Sequence, residues 1–317
     1  MKKILVTIPE FQQKCAAGFA LLREKGYEVV ETPLMRPYSP EEMAAMIGDF
    51  DGAITDLEIW DEKLFAVAAK LKIVSRFGVG MDNFDLAAAK RHGVIITNCP
   101  GVNSSAVAEQ AIALIMALLR QVPRYDTQAR RGDWSRPCFQ EIAGKTVGIL
   151  GFGAIGRLLA KKLAGFEVTL LAYDKFPNEQ AARELSVTLT GLDEALSASD
   201  IISIHLPSLP ETAHIIDSDT IAKMRHGVLL VNTARGALVN EAAVAQALRS
   251  GKIGGMASDV FEVEPVSPDN PLFAFDNFIA APHVSSDTAQ NFDRTGLMVA
   301  EAVSAALSGQ TPLNALC

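Results

Sequence analysis

The stretch Thr146-Val147-Gly148-Ile149-Leu150-Gly151-Phe152-Gly153-Ala154-Ile155-Gly156 decides the fold. A short apolar run leads into three glycines spaced GxGxxG, and a helical pattern runs on from Ile155 to Ala164. The next apolar run, Val168–Tyr173, ends on Asp174. Strand, glycine turn, helix and an acidic residue about 20 positions on form the dinucleotide-binding fingerprint. Gly151 permits the tight turn, Gly153 lets a pyrophosphate approach the backbone, and Gly156 lets helix and strand pack closely. The helix start at Ala154 and Ile155 offers unpaired N–H groups and a positive dipole to the pyrophosphate. Asp174 can accept hydrogen bonds from ribose hydroxyls and would repel a 2′-phosphate, which favours NAD over NADP. Lys175 beside it would partly offset that repulsion. The bland alternative is a glycine turn that binds nothing, and the strand–turn–helix context weighs against it.

Outward from this segment, short apolar runs alternate with amphipathic stretches along the whole chain. On the N-terminal side the strand candidates are Ile4–Ile8, Glu28–Val30, Ala53–Thr55, Ile73–Ser75 and Val94–Thr97. A long helical stretch, Asn103–Gln121, precedes a second series. That series holds Thr146–Leu150, Val168–Tyr173, Val187–Leu189, Ile201–His205, Val228–Asn232, Met256–Asp259 and Phe278–Ala281, and a last helix spans Thr288–Leu307. Alternation of this kind predicts parallel sheets with helices on both faces. Turn chemistry at Asn98-Cys99-Pro100-Gly101 and Pro282-His283-Val284-Ser285 marks two joints. One domain would then be built from both termini, residues 1–98 and 285–317, with residues 99–284 inserted in it.

The composition fits two globular domains. The chain has 317 residues, 49% hydrophobic and 21% charged, so it can bury a substantial core and is not a disordered chain. The formal charge of −8 argues against a dedicated nucleic-acid or membrane-surface protein. The longest apolar run, Ala111–Leu119, is too short to span a bilayer. Cys15, Cys99, Cys138 and Cys317 lie far apart without a CxxC pair, as expected of unpaired thiols in a reducing cytoplasm, and no metal site is expected.

Hydride transfer to a carbonyl needs a proton donor, a substrate anchor and a group that orients the donor. Imidazole suits the first, and a guanidinium fork matches a carboxylate. An acceptor behind the imidazole fixes its tautomer. Arg235, Glu264 and His283 each follow a predicted strand of the second series, where ligands of open α/β sheets bind. Of the five histidines, His205 reads as a packing group near the adenosine side. Glu262 reads as a solvent-facing neighbour of Glu264, and Asp82-Asn83 as a turn.

The chain resembles the D-isomer-specific 2-hydroxyacid dehydrogenases, the family that includes phosphoglycerate and glycerate dehydrogenases. The resemblance is carried by Arg76-Phe77-Gly78-Val79-Gly80-Met81-Asp82-Asn83, the GxGxxG segment, His205-Leu206-Pro207 with Thr212, and Asn232-Thr233-Ala234-Arg235-Gly236. Asp259-Val260-Phe261-Glu262-Val263-Glu264-Pro265 and Pro282-His283 complete it, over about residues 45 to 300. It implies an α/β fold of two doubly wound parallel-sheet domains, a Rossmann NAD domain inserted in a flavodoxin-like substrate domain. It implies reversible NAD-dependent reduction of a 2-oxo acid to a D-2-hydroxy acid in a homodimer, with the long helix after the first joint at the subunit contact.

Residue roles follow from the same resemblance. Arg235 would bind the substrate carboxylate, helped by backbone N–H groups of Val79 and Gly80. Glu264 would orient His283, the acid in reduction and base in oxidation. Thr233 and Asp259 would hold the nicotinamide end, and Pro207 and Thr212 would lie along the adenosine. The side-chain pocket is expected near Asp56 and Trp60, with Trp134 as a candidate from a partner subunit. Phosphoglycerate dehydrogenases usually carry a second arginine in the segment matching Ala53-Ile54-Thr55-Asp56-Leu57-Glu58, where this chain has acids and no base. Carboxylates would repel a substrate phosphate. Two other readings stay open: an NAD-sensing binding protein or corepressor of this fold, and a formate-type dehydrogenase that moves no proton.

Overall fold

The computed structural model describes residues 1–317. The chain divides into two compact units, Met1–Asn103 with Asp287–Cys317, and Ser104–Ser286. The turn at Cys99 stays with the first unit for a local reason. Its N–H donates to Gly78 O at 2.7 Å and its side chain is fully buried in that unit's core.

The first unit is built on β1 (Lys3–Val6), β2 (Glu28–Glu31), β3 (Gly52–Thr55), β4 (Ile73–Arg76) and β5 (Ile95–Thr97). They form a parallel sheet in the order β2-β1-β3-β4-β5, the flavodoxin-like arrangement. Every residue of β3 is buried, which explains why its sequence is an apolar run without in/out alternation. Trp60, Phe65 and Phe84 pack one side of this core, and Trp60 Nε1 donates to Thr55 Oγ1 at 3.0 Å. The C-terminal helix Ala289–Leu307 packs on the helix Ala16–Glu24 and on the sheet, so the two ends of the chain complete one core.

The second unit carries β6 (Thr146–Leu150), β7 (Thr169–Tyr173), β8 (Thr188–Leu189), β9 (Ile201–Ile204), β10 (Val228–Asn232), β11 (Ile253–Ser258) and β12 (Phe278–Ala280). All run parallel, in the order β12-β11-β10-β9-β6-β7-β8. The direction of winding reverses between β6 and β9, and that switch point is where such sheets bind ligands. The long helix Ser104–Arg120 buries Ala108, Ala111, Leu114, Ile115 and Leu118 against the helix Ala154–Leu163 and against β10 and β11. No single helix is long and apolar enough to cross a membrane.

Strand register sets the site. Leu150 pairs with Ile204, Ile204 with Asn232, Asn232 with Ser258, and Ser258 with Ala280. Gly151, His205, Thr233, Asp259 and Ala281 therefore leave the sheet at one level, at its carboxyl edge.

Candidate active site

The glycine turn is shaped by close approach. Gly151 has φ 101°, and a Cβ there would come within 2.5 Å of the His205 carbonyl. A Cβ on Gly156 would lie 2.1 Å from Gly151 O, so the helix closes directly onto the turn. Around Gly153 the space is open, with no atom beyond its own chain neighbours within 4 Å of a Cβ placed there. Gly153 caps the helix Ala154–Leu163 without a side-chain hydrogen bond. The surroundings of Gly153, Ala154 and Ile155 thus combine open space with a helix start.

Asp174 is fixed at the end of β7. Its Oδ2 accepts from Phe152 N at 2.7 Å and its Oδ1 from Phe176 N at 2.8 Å. Lys175 turns towards Glu211, with Nζ 3.2 Å from Oε1. Thr212 Oγ1 donates to Pro207 O at 2.7 Å and accepts from Leu209 N at 2.9 Å, which joins Pro207 and Thr212 in one turn.

The loops after β10, β11 and β12 bring the polar cluster together. Asn232 is fully buried; its Oδ1 accepts from Ala234 N at 3.0 Å and its Nδ2 donates to Arg235 O at 2.9 Å. These two bonds shape the turn that carries Arg235, whose Nη1 donates to Ala234 O at 2.8 Å. His283 Nδ1 lies 2.7 Å from Glu264 Oε2, while Glu264 Oε1 accepts from Phe261 N at 2.9 Å. Glu264 is therefore held at both oxygens. Glu262 turns away, pairing with Glu241 through two backbone–carboxylate bonds of 2.9 Å and approaching His214 at 3.4 Å.

Electrostatics follow this geometry. The Glu264 hydrogen bond and charge hold the His283 pKa above the usual histidine value, against the opposing effect of burial. Burial alone would raise the Glu264 pKa, but the His283 and Phe261 hydrogen bonds outweigh it and leave it lowered. His205 is different. Burial pushes its pKa down to about 4, its Nε2 lies 2.8 Å from Ser203 Oγ, and its buried Nδ1 has no partner. A histidine that stays neutral there is no acid for a neutral-pH reaction.

Of the five buried polar side-chain atoms of this unit that lack a protein partner, three belong to the polar edge and its loops: His205 Nδ1, Thr233 Oγ1 and Ser285 Oγ. The first two belong to residues at the carboxyl edge, and Ser285 belongs to the His283 loop. Together with the open turn at Gly153 and the acid at the end of β7, they fit a dinucleotide such as NAD.

In the first unit, Val79 and Gly80 are half-buried in the loop after β4. Asn98 Nδ2 donates to Val79 O at 2.7 Å. Asn83 does more than mark a turn, because its Nδ2 donates to the carbonyls of Asp56 at 3.0 Å and Glu58 at 2.6 Å. Trp134 is 81% exposed, in a stretch outside helices and strands.

Sequence reasoning did not single out Asn232 as the residue that shapes the Arg235 turn, or Glu211 as the partner of Lys175. Asn232 had a readable signal, an amide at a strand end two residues before the turn it organises. Glu211 had none, since the pairing is made across a fold.

Comparisons with known proteins agree with this picture. Residues 112–285 match the family model described as D-isomer specific 2-hydroxyacid dehydrogenase, NAD binding domain. The chain is 44% identical over 252 residues to D-3-phosphoglycerate dehydrogenase of Mycobacterium tuberculosis, covering 79% of this chain and 48% of that protein. It is 37% identical over 320 residues to glyoxylate reductase of Thermofilum pendens, covering 98% and 93%. Among solved structures, apo D-lactate dehydrogenase from Escherichia coli superposes with a TM-score of 0.89 at 28% identity, covering 100% of both chains. The chain spans about half the length of the phosphoglycerate dehydrogenases it matches first.

Proposed function

Since the chain belongs to the D-isomer-specific 2-hydroxyacid dehydrogenase family, we propose that it is an NAD-dependent oxidoreductase interconverting a 2-oxo acid and its D-2-hydroxy acid. The observation that carries the reading is the 2.7 Å contact between His283 Nδ1 and Glu264 Oε2, on a loop at the carboxyl edge of the NAD-type sheet.

The nicotinamide, when bound, supplies or accepts the hydride. Glu264 accepts a hydrogen bond from the Nδ1 side of His283, which leaves Nε2 as the nitrogen that exchanges a proton. In reduction, protonated His283 donates to the ketone oxygen as the alkoxide develops; in oxidation, neutral His283 takes the proton back. Arg235 holds the substrate carboxylate through its planar fork and so aligns the carbonyl. Carboxylate binding by Val79 and Gly80 belongs to the same proposal and rests on the family resemblance. Gly151, Gly153, Ala154, Ile155 and Gly156 hold the pyrophosphate, Asp174 the ribose, Pro207 and Thr212 the adenosine side, and Thr233 and Asp259 the nicotinamide side. Ser104–Ser286 act as the cofactor unit, and Met1–Asn103 with Asp287–Cys317 as the substrate unit.

We read the protein as a cytoplasmic homodimer. The support for the dimer is the exposed Trp134 stretch, and an open edge on β12 beside a groove lined by Gln121, Arg124, Gln128 and Arg131, while the four unpaired cysteines fit a reducing compartment. Sedimentation or light scattering tests it.

The central experiment is reduction of a panel of 2-oxo acids with NADH, followed by nicotinamide absorbance. Turnover lost on substituting His283 supports the reading. A chain that binds NADH and reduces none of the panel would be a sensor, and the proposal would fail.

A further inference from the structure

The first unit carries an unusual charge cluster at the carboxyl edge of its own sheet. Arg76 ends β4 opposite Thr55 of β3, so the next residue of β3, Asp56, comes alongside it. Asp56 Oδ1 lies 2.6 Å from Arg76 Nη1, and the same nitrogen donates to Phe77 O at 2.7 Å. The guanidinium is wedged against Gly78, where a Cβ would sit 1.7 Å from Nη1. The Arg76 side chain is 12% exposed, that of Asp56 42%. Behind them Glu58, 3% exposed, accepts from Asp56 N at 3.0 Å and Tyr38 N at 3.4 Å. Asn83 ties the carbonyls of Asp56 and Glu58 together.

The one guanidinium of this cluster is therefore occupied and largely covered, and the more open group is a carboxylate. Val79 and Gly80 follow Arg76 in the same loop. We infer that Asp56, by engaging Arg76, makes the protein select a 2-oxo acid whose far end is an uncharged hydrogen-bond donor, such as a hydroxyl. A substrate carrying a phosphate or second carboxylate at that end is turned away. This rests on the dehydrogenase reading above and on Val79 and Gly80 meeting the substrate.

An anionic tail gains Arg76 only if Arg76 leaves a partly buried ion pair, and the abandoned Asp56 then repels that tail. A hydroxyl tail needs no such exchange, because it can donate to Asp56 while the pair stays closed.

The test compares hydroxypyruvate with its phosphate ester, using kcat/KM with NADH in the unmodified chain and in Asp56→Asn and Asp56→Ser. Two variants guard against one that folds poorly, and thermal melting checks both. The unmodified chain should favour hydroxypyruvate by about tenfold or more, a discrimination within reach of one misplaced charge. Both variants should narrow that ratio, chiefly through a lower KM for the ester, as Arg76 is released. A preference for the ester in the unmodified chain, or an unchanged ratio in both folded variants, would overturn the inference alone. If no 2-oxo acid is reduced, the dehydrogenase reading falls and the inference with it.

Discussion

Asp259 grips the loop of His283 at three points. Its backbone carbonyl accepts from His283 N at 2.8 Å, its Oδ1 from Val284 N at 2.9 Å and its Oδ2 from Ser285 N at 2.8 Å. His283 itself sits at φ 56°, a conformation that non-glycine residues adopt at some cost and that needs such support. Asp259 is 1% exposed, so no water replaces a lost bond. Asp259→Asn puts an amide N–H2 against one of the two backbone donors. Hydrogen bonds to a charged acceptor are worth about 1.5–3 kcal/mol, and a large part of one should be lost. We expect a lower melting temperature together with a drop in kcat. A variant that melts and turns over like the parent would show that the grip is dispensable.

Removing the imidazole tests the acid itself. His283→Ala should cost about 10²–10⁴ in rate, the usual worth of general acid–base catalysis. NADH affinity, read by fluorescence titration, should be retained because the glycine turn lies on β6 and the helix that follows it. Near-full turnover in this variant would refute the assignment.

Glu264 should set the pH range of the reaction. Its hydrogen bond and charge raise the His283 pKa. In the proposed mechanism reduction uses protonated His283, so its rate should be present below that raised pKa and fade as pH climbs through it. Oxidation would use the neutral ring and should improve in the same interval. Glu264→Gln keeps an acceptor and loses the charge, so the His283 pKa falls and the alkaline limb of reduction moves to lower pH. The loss of rate should be smaller than in His283→Ala. The measurement is kcat/KM for reduction against pH in both proteins, and a limb that stays put or moves upward excludes this role.

Much of the fold was readable because each strand of a doubly covered sheet is a short apolar run. Thr146–Leu150 and Val228–Asn232 have the same limits in sequence and structure. The misjudged ends have physical causes. β11 starts at Ile253, earlier than the apolar pattern indicates, because Gly254 and Gly255 hide it. A Cβ on Gly255 would press on Asn277 O at 3.1 Å and Leu118 at 3.2 Å, so packing outweighs the low strand propensity of glycine. The same strand stops at Ser258, one residue short, because Asp259 turns its carboxylate to the His283 loop. In the site, Glu264 could be told from Glu262 by resemblance, and the geometry shows why: only Glu264 reaches His283. The Asp56–Arg76 pair was not legible. It depends on the register of β3 against β4, which no single segment encodes.

Arg235 is predicted to be irreplaceable by lysine. Its turn is fixed by both polar atoms of Asn232, so the guanidinium has a defined starting point. A guanidinium makes two parallel bonds to a carboxylate, whereas an ammonium is a point charge. Arg235→Lys should raise KM and lower kcat together, because a carboxylate held at one point lets the carbonyl swing away from the nicotinamide. An unchanged KM would contradict the anchor role.

Cofactor choice should turn on Asp174 and, more weakly, on Glu211. The Asp174 carboxylate is held by the amides of Phe152 and Phe176, so it cannot swing away from a 2′-phosphate at the end of β7. Lys175 is the one neighbour in the sequence that could offset its charge, but its ammonium points to Glu211 at 3.2 Å. The unmodified chain should therefore prefer NADH to NADPH, and Asp174→Ala should weaken NADH use and narrow the gap. Glu211→Gln releases Lys175 while leaving Asp174 in place. Lys175 and Glu211 are 63% and 53% exposed, and an exposed pair of this kind is worth about 0–1 kcal/mol. Its loss should thus raise kcat/KM for NADPH only a few-fold, well short of the Asp174→Ala effect. The two variants are compared by kcat/KM for both cofactors at fixed 2-oxo acid. Equal use of NADH and NADPH by the unmodified chain would remove Asp174 as the discriminator. A Glu211→Gln variant with no gain for NADPH would mean that Lys175 does not reach the ribose even when released.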